Sequence, residues 1–150
     1  MIAVLLMGAL ISPATSRAAE EACTSEEARV ALKDFVSAYN RGHLELLDSM
    51  WAKEPKFEWY TVGPGPERLN GDRSNLIAYF AERHELGDRM DFLRLKVLQG
   101  DTWHGGRDFN YTLRRTSDDL WPSADGVYEG KGAMSARCKF FVWTMSWSRP

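Results

Sequence analysis

The chain has 150 residues, 44% of them hydrophobic and 12% aromatic, with 19 Lys and Arg against 21 Asp and Glu for a net charge of −2. That length suits one packed domain, and so even a charge balance, with no basic stripe interleaved with aromatics, disfavours nucleic-acid binding. The three histidines, His43, His84 and His104, lie far apart. With no CxxC and no HExxH the chain offers no metal site, and no cofactor is expected.

Ile2 to Ile11 (IAVLLMGALI) is an unbroken apolar run, followed by Pro13 and the small residues around Ser16-Arg17-Ala18. Its pattern predicts a cleaved export signal over residues 1–18, cut after Ala18, ahead of a single domain over 19–150. The run is well short of the roughly 20 residues that span a bilayer, so no stable membrane anchor is expected. Glu20, Glu21 and Ala22 are too acidic for a lipidation box before Cys23. The expected destination is the periplasm or the cell exterior. No Lys or Arg precedes the apolar stretch, so a mis-set start and a cytoplasmic protein stay open as the alternative. In an oxidising compartment Cys23 and Cys138 are a candidate disulfide; in the cytosol they would be two free thiols. Closing a loop of more than about 100 residues would stabilise the fold by about 4 to 5 kcal/mol in the chain-entropy model.

Thr24 and Glu27 form a capping box that opens a helix, with Ala28, Ala31, Leu32, Phe35 and Tyr39 on one face. Asn40-Arg41-Gly42 ends it, Gly42 being free to turn left-handed. A short second helix puts Leu44, Leu47, Met50 and Trp51 on its apolar side. Phe57 to Val62 reads as a strand, and Gly63-Pro64-Gly65-Pro66 as a turn. Asp72 caps a third helix carrying Leu76, Ile77, Phe80 and His84, which Gly87 stops.

Everything beyond reads as sheet. Met90 to Leu98 alternates, with Leu93, Leu95 and Val97 on one face; Phe109, Tyr111 and Leu113 alternate in the same way. Trp103-His104-Gly105-Gly106 connects those two strands, and His104 at its tip is expected in solvent. After a polar loop from Ser117 to Gly126, a strand covers Val127 to Ser135. The last, Lys139 to Ser148, sets Phe141, Trp143, Met145 and Trp147 on one side and Phe140 and Val142 on the other.

This order of elements, with "FVSAYNRGHLELLDSMWA" (Phe35 to Ala52), "GDRSNLIAYFAER" (Gly71 to Arg83) and "GKGAMSARCKFFVWTM" (Gly130 to Met145), resembles the nuclear transport factor 2-like superfamily over about residues 25–148, and its SnoaL-like branch in particular. The resemblance implies an α+β cone-shaped barrel, three helices packed on a bent, mostly antiparallel sheet, with an apolar pocket at the open end. It does not name a reaction, since the same cone hosts isomerases, dehydratases, hydrolases, polyketide cyclases and binding domains. Ketosteroid isomerase-like members use a Tyr in the first helix and an Asp on the first strand; here Phe35 and Trp59 fall at those places. That chemistry is therefore not expected.

The aromatic inward faces predict a pocket lined by Trp59, Tyr60, Tyr111, Trp143 and Met145 that holds a small apolar or aromatic molecule. Two alternatives stay open. One is hydration, isomerisation or ring closure on a polyketide-like or terpenoid substrate, with His84 as the candidate base; a dipole-offsetting role at the helix end is the commoner one for such a histidine. The other is a homodimeric association module joined through the outer sheet face.

Overall fold

The computed structural model describes residues 22–53, 58–62, 68–70, 73–98, 105–119 and 125–149. The expected leader, the Gly63–Pro66 turn, the Asp72 cap and His104 lie outside the described residues. So do the side chains of Trp59 and Tyr60, whose strand is described by its backbone alone.

Thr24 caps α1 (Ser25–Arg41) as a reciprocal box: the Glu27 N–H donates to Thr24 Oγ1 at 3.2 Å, and the Thr24 N–H donates to Glu27 Oε2 at 2.8 Å. Gly42 closes the helix at φ 68°, and its N–H donates to the carbonyls of Ala38 and Tyr39. Asn40 then ties the helix end to the sheet. Its Nδ2 donates to the Met90 carbonyl at 2.9 Å and its Oδ1 accepts from the Met90 N–H at 2.8 Å, so one side chain completes a backbone pairing. Helix α2 (Leu44–Ser49) buries Leu47 and leads into Trp51, which bridges to Phe140.

The strands β1 (Glu58–Val62), β2 (Arg68–Asn70), β3 (Arg89–Leu98), β4 (Arg107–Thr116), β5 (Gly126–Met134) and β6 (Phe140–Arg149) form one sheet in the order β2-β1-β6-β5-β4-β3. All pairings are antiparallel except β1 with β6, which is parallel. Helix α3 (Arg73–Glu85) joins α1 and α2 against it. The expected α+β arrangement of three helices on a mostly antiparallel sheet is what forms. The strand β2 had no counterpart in the sequence reading, because a three-residue strand is too short to show alternation.

Two bulges change which residues face inward. In β3 the register shifts between Phe92 and Arg94, which leaves Leu93 as the extra residue, 45% exposed, and hands its inward place to Phe92. The expectation that Leu93 shares a face with Leu95 and Val97 is thus corrected. In β6, Met134 pairs with Phe140 and Ala133 with Val142, so Phe141 is the extra residue. Phe140 then shares the buried side with Trp143, where strict alternation had set them apart; both are fully buried.

The two cysteines are joined. Cys23 and Cys138 form a disulfide across a sequence separation of 115 with Cα atoms 5.2 Å apart, within the range a bridge needs. It pins the residue before the α1 cap to the turn between β5 and β6.

Candidate functional site

The inward face of the sheet is built from aromatic rings laid across glycines. Gly130 and Gly132 occupy inward positions on β5, level with Tyr111 and Phe109 on β4. A side chain at Gly132 would meet the Phe109 ring, and one at Gly130 would meet the Tyr111 hydroxyl and the Thr144 carbonyl. The missing Cβ atoms let both rings pass over β5 and reach β6. Tyr111 Oη donates to the Thr144 carbonyl at 2.6 Å, and ring centroids stand 5.0 Å apart for Tyr111 with Trp143 and 5.3 Å for Phe109 with Trp143. These separations suit tilted aromatic pairs.

Helix α1 supplies the opposite wall. Phe35 sits 4.6 Å from Trp143, 5.3 Å from Phe140 and 5.8 Å from Phe80 between centroids. It is the hub of the cluster.

Of the five residues expected to line a pocket, the structure brings Tyr111, Trp143 and Met145 together in the core, at 5%, 0% and 0% exposure. The register places Trp59 beside Trp143 and Tyr60 beside Thr144. Burial pushes the Tyr111 phenol well above its ordinary value, with hydrogen bonding from Trp143 opposing the rise, so Tyr111 is a neutral hydroxyl at physiological pH.

His84 is elsewhere. It lies in the last turn of α3 with its ring against Gly42, so close that any side chain at Gly42 would collide with it. Its Nδ1 is buried without a hydrogen-bond partner, and it forms no ion pair with a carboxylate among the described residues.

At the Arg115 end of β4 the interior turns polar. Arg115 continues the inward series Phe109, Tyr111, Leu113, and is 2% exposed. Its Nε donates to Asp88 Oδ1 at 3.0 Å and Oδ2 at 2.8 Å, and its Nη2 donates to Tyr79 Oη at 2.8 Å and Tyr39 Oη at 3.5 Å. The guanidinium carbon stands 5.7 Å from the Tyr128 ring centroid and 6.0 Å from that of Tyr79, within cation–π range. Asp88, fully buried, also accepts from Arg83 Nε, and Arg83 Nη1 donates to Asp119 Oδ2 at 2.7 Å. Two guanidiniums and two carboxylates thus balance.

Burial works against the charge on Arg115, but Tyr39, Tyr79 and Asp88 outweigh it and its pKa lies well above the ordinary arginine value. Burial likewise drives Tyr39 well above, and Tyr79 above, the ordinary phenol value, with the Arg115 charge opposing both shifts. Sequence reasoning missed this group. The one available signal was an arginine in phase with Phe109, Tyr111 and Leu113.

Among the described residues no set of three or more His, Cys, Asp and Glu could hold a metal ion. The interior is a packed cluster of aromatic rings with neutral phenols, Trp143 and Met145 being 0% exposed and the Tyr111 phenol tied to a backbone carbonyl.

No family profile and no curated protein matches the sequence. Solved structures do match. A protein from Streptomyces avermitilis named as a dehydratase of the NTF2-like family aligns with TM-score 0.60 at 18% identity, over 84% of this chain and 96% of that one. A protein from Xanthomonas campestris named as a calcium/calmodulin-dependent protein kinase II association domain aligns with TM-score 0.59 at 16% identity, over 81% of this chain and 86% of that one. The Orange Carotenoid Protein of Anabaena binding canthaxanthin aligns with TM-score 0.58 at 10% identity, over 77% of this chain and 35% of that one. Identities this low establish architecture and nothing about activity. The chain has the nuclear transport factor 2-like fold.

Proposed function

We propose that the chain is a small-molecule-binding domain whose interior aromatic face takes an apolar or aromatic ligand. The observation that carries this reading is the ring surface built on β4 and β6, where Tyr111 and Trp143 meet 5.0 Å apart over a glycine strand. Met145 follows Trp143 on the same face, and Trp59 stands level with Trp143 on the neighbouring strand; Tyr60, level with Thr144, falls at an outward register position and is no part of that face. Such a surface binds by shape and dispersion, and a single neutral hydroxyl suits a ligand with few polar groups. The carotenoid carried by one fold neighbour is of this chemical kind. The disulfide and the apolar run at Ile2 to Ile11 together support export of the domain.

Titration of the oxidised protein with 1-naphthol, β-ionone and a panel of similar molecules tests the proposal. At least one is expected to quench tryptophan fluorescence saturably, with the saturable part weakened about tenfold or more in Trp143→Leu. A flat response across the panel, or an unchanged titration in Trp143→Leu, would refute it.

A further inference from the structure

The outer face of the same sheet carries a groove of about 670 Å³, spread over β3, β4, β5 and β6. It is an open groove, closer to a flat surface than to an enclosed cavity. Register assembles its floor into two rows. Lys96, Asn110, Lys131 and Thr144 stand side by side across the four strands, and Arg94, Thr112, Glu129 and Ser146 form the next row. Three cations therefore share the groove with one carboxylate, in a chain whose net charge is −2. Arg94, Lys96 and Lys131 are exposed, and none forms an ion pair among the described residues.

From this arrangement we infer a second binding site, independent of the interior surface: the outer groove takes a small dicarboxylate that bridges Lys96 and Lys131. The two lysines are two strands apart, so their Cα atoms stand about 10 Å from one another. Asn110, whose side chain carries two amide donors, lies between them in the row. Two separated cations around a neutral donor match two separated carboxylates better than one compact anion. Arg94, two residues from Lys96 on the same face, adds a planar donor that meets a carboxylate with two parallel hydrogen bonds. Thr144 is held in place beneath, its Oγ1 donating to the Lys131 carbonyl at 2.9 Å. The occupant is small because the basic surface is: a nucleic acid is gripped through many phosphates, which three cations interrupted by Glu129 cannot supply.

The experiment is an amide chemical-shift titration of the full oxidised chain with glutarate, acetate and inorganic phosphate at 20 and 200 mM sodium chloride. Glutarate is expected to saturate, with shifts confined to β3, β4, β5 and β6, to bind at least tenfold more tightly than acetate or phosphate, and to weaken at the higher salt. K96Q/K131Q should lower its affinity at least tenfold, whereas Lys33→Gln, on the exposed side of α1, should leave it unchanged. These lysines are solvent-facing, so the double variant is expected to fold; an unchanged amide spectrum away from the groove checks that. Equal binding of acetate and glutarate, stronger binding of phosphate, or a K96Q/K131Q titration like the parent's would overturn the inference. So would sedimentation showing a dimer that covers this face and excludes glutarate.

Discussion

Replacing Asp88 by Asn should be among the most damaging single substitutions in this protein. Asp88 is 0% exposed and holds two guanidiniums at once: both its oxygens accept from Arg115 Nε, at 3.0 and 2.8 Å, and Oδ2 also accepts from Arg83 Nε. Asparagine keeps the size but removes the charge, and it turns an amide N–H₂ towards groups that can only donate. Arg83 and Arg115 would then share one carboxylate, Asp119, which contacts Arg83 alone in this group. Breaking a buried pair by removing one partner costs about 3 to 5 kcal/mol. Set against a total stability of about 5 to 15 kcal/mol, that is a large fraction of what holds the domain together. At about 4 °C per kcal/mol for a chain of this size, the melting temperature should fall by roughly 12 to 20 °C. Thermal unfolding followed by circular dichroism, with urea titration to give the free energy, measures both. A loss under about 1 kcal/mol would show that Arg83 and Arg115 reach other partners or water, and the picture of a sealed, charge-balanced group would be wrong.

The buried phenols make an alkaline prediction. Tyr39, Tyr79 and Tyr111 have folded pKa values raised above the 10.0 of a free phenol, so the unfolded chain ionises first as pH rises. Their contribution is fully present below pH 10 and is lost above it, by up to about 1.4 kcal/mol per pH unit for each tyrosine, until the folded values are reached. Absorbance near 295 nm should show these phenols titrating only as the protein unfolds; smooth titration near pH 10 with the fold intact would contradict their burial. For the Cys23–Cys138 bridge, replacing both cysteines by serine is expected to cost up to about 4 to 5 kcal/mol in urea unfolding, most of it through a less constrained unfolded state. An unaltered midpoint in the double variant, with the parent shown by intact mass to lack two hydrogens, would mean that the unfolded chain is already held compact near these positions.

Much of the architecture was legible along the chain because its signals are local. The Thr24–Glu27 box and Gly42 bound α1 as expected, since capping depends on residues three or four apart. The alternation of Phe109, Tyr111 and Leu113 fixed the inward face of β4 because side chains on a strand alternate with a period of two. The same rule failed at Leu93 and Phe141. A bulge adds one residue and reverses the phase, and whether it forms depends on the partner strand. The SnoaL-like resemblance rested on such local echoes, which is why it reached the fold and stopped short of an activity.

The sequence by itself determined where α1 begins and ends, which strands carry aromatics, and that two cysteines were available to pair. Only the tertiary structure decided that they do pair, that Phe35 meets Trp143, that His84 rests on Gly42 with no ion pair to a carboxylate among the described residues, and that Asp88 and Arg115 find each other from 27 positions apart. The physical reason is range. Periodicity and capping are set by neighbours within a few residues, whereas the pairing of a buried charge depends on which distant segments the folded sheet brings to the same end of the core.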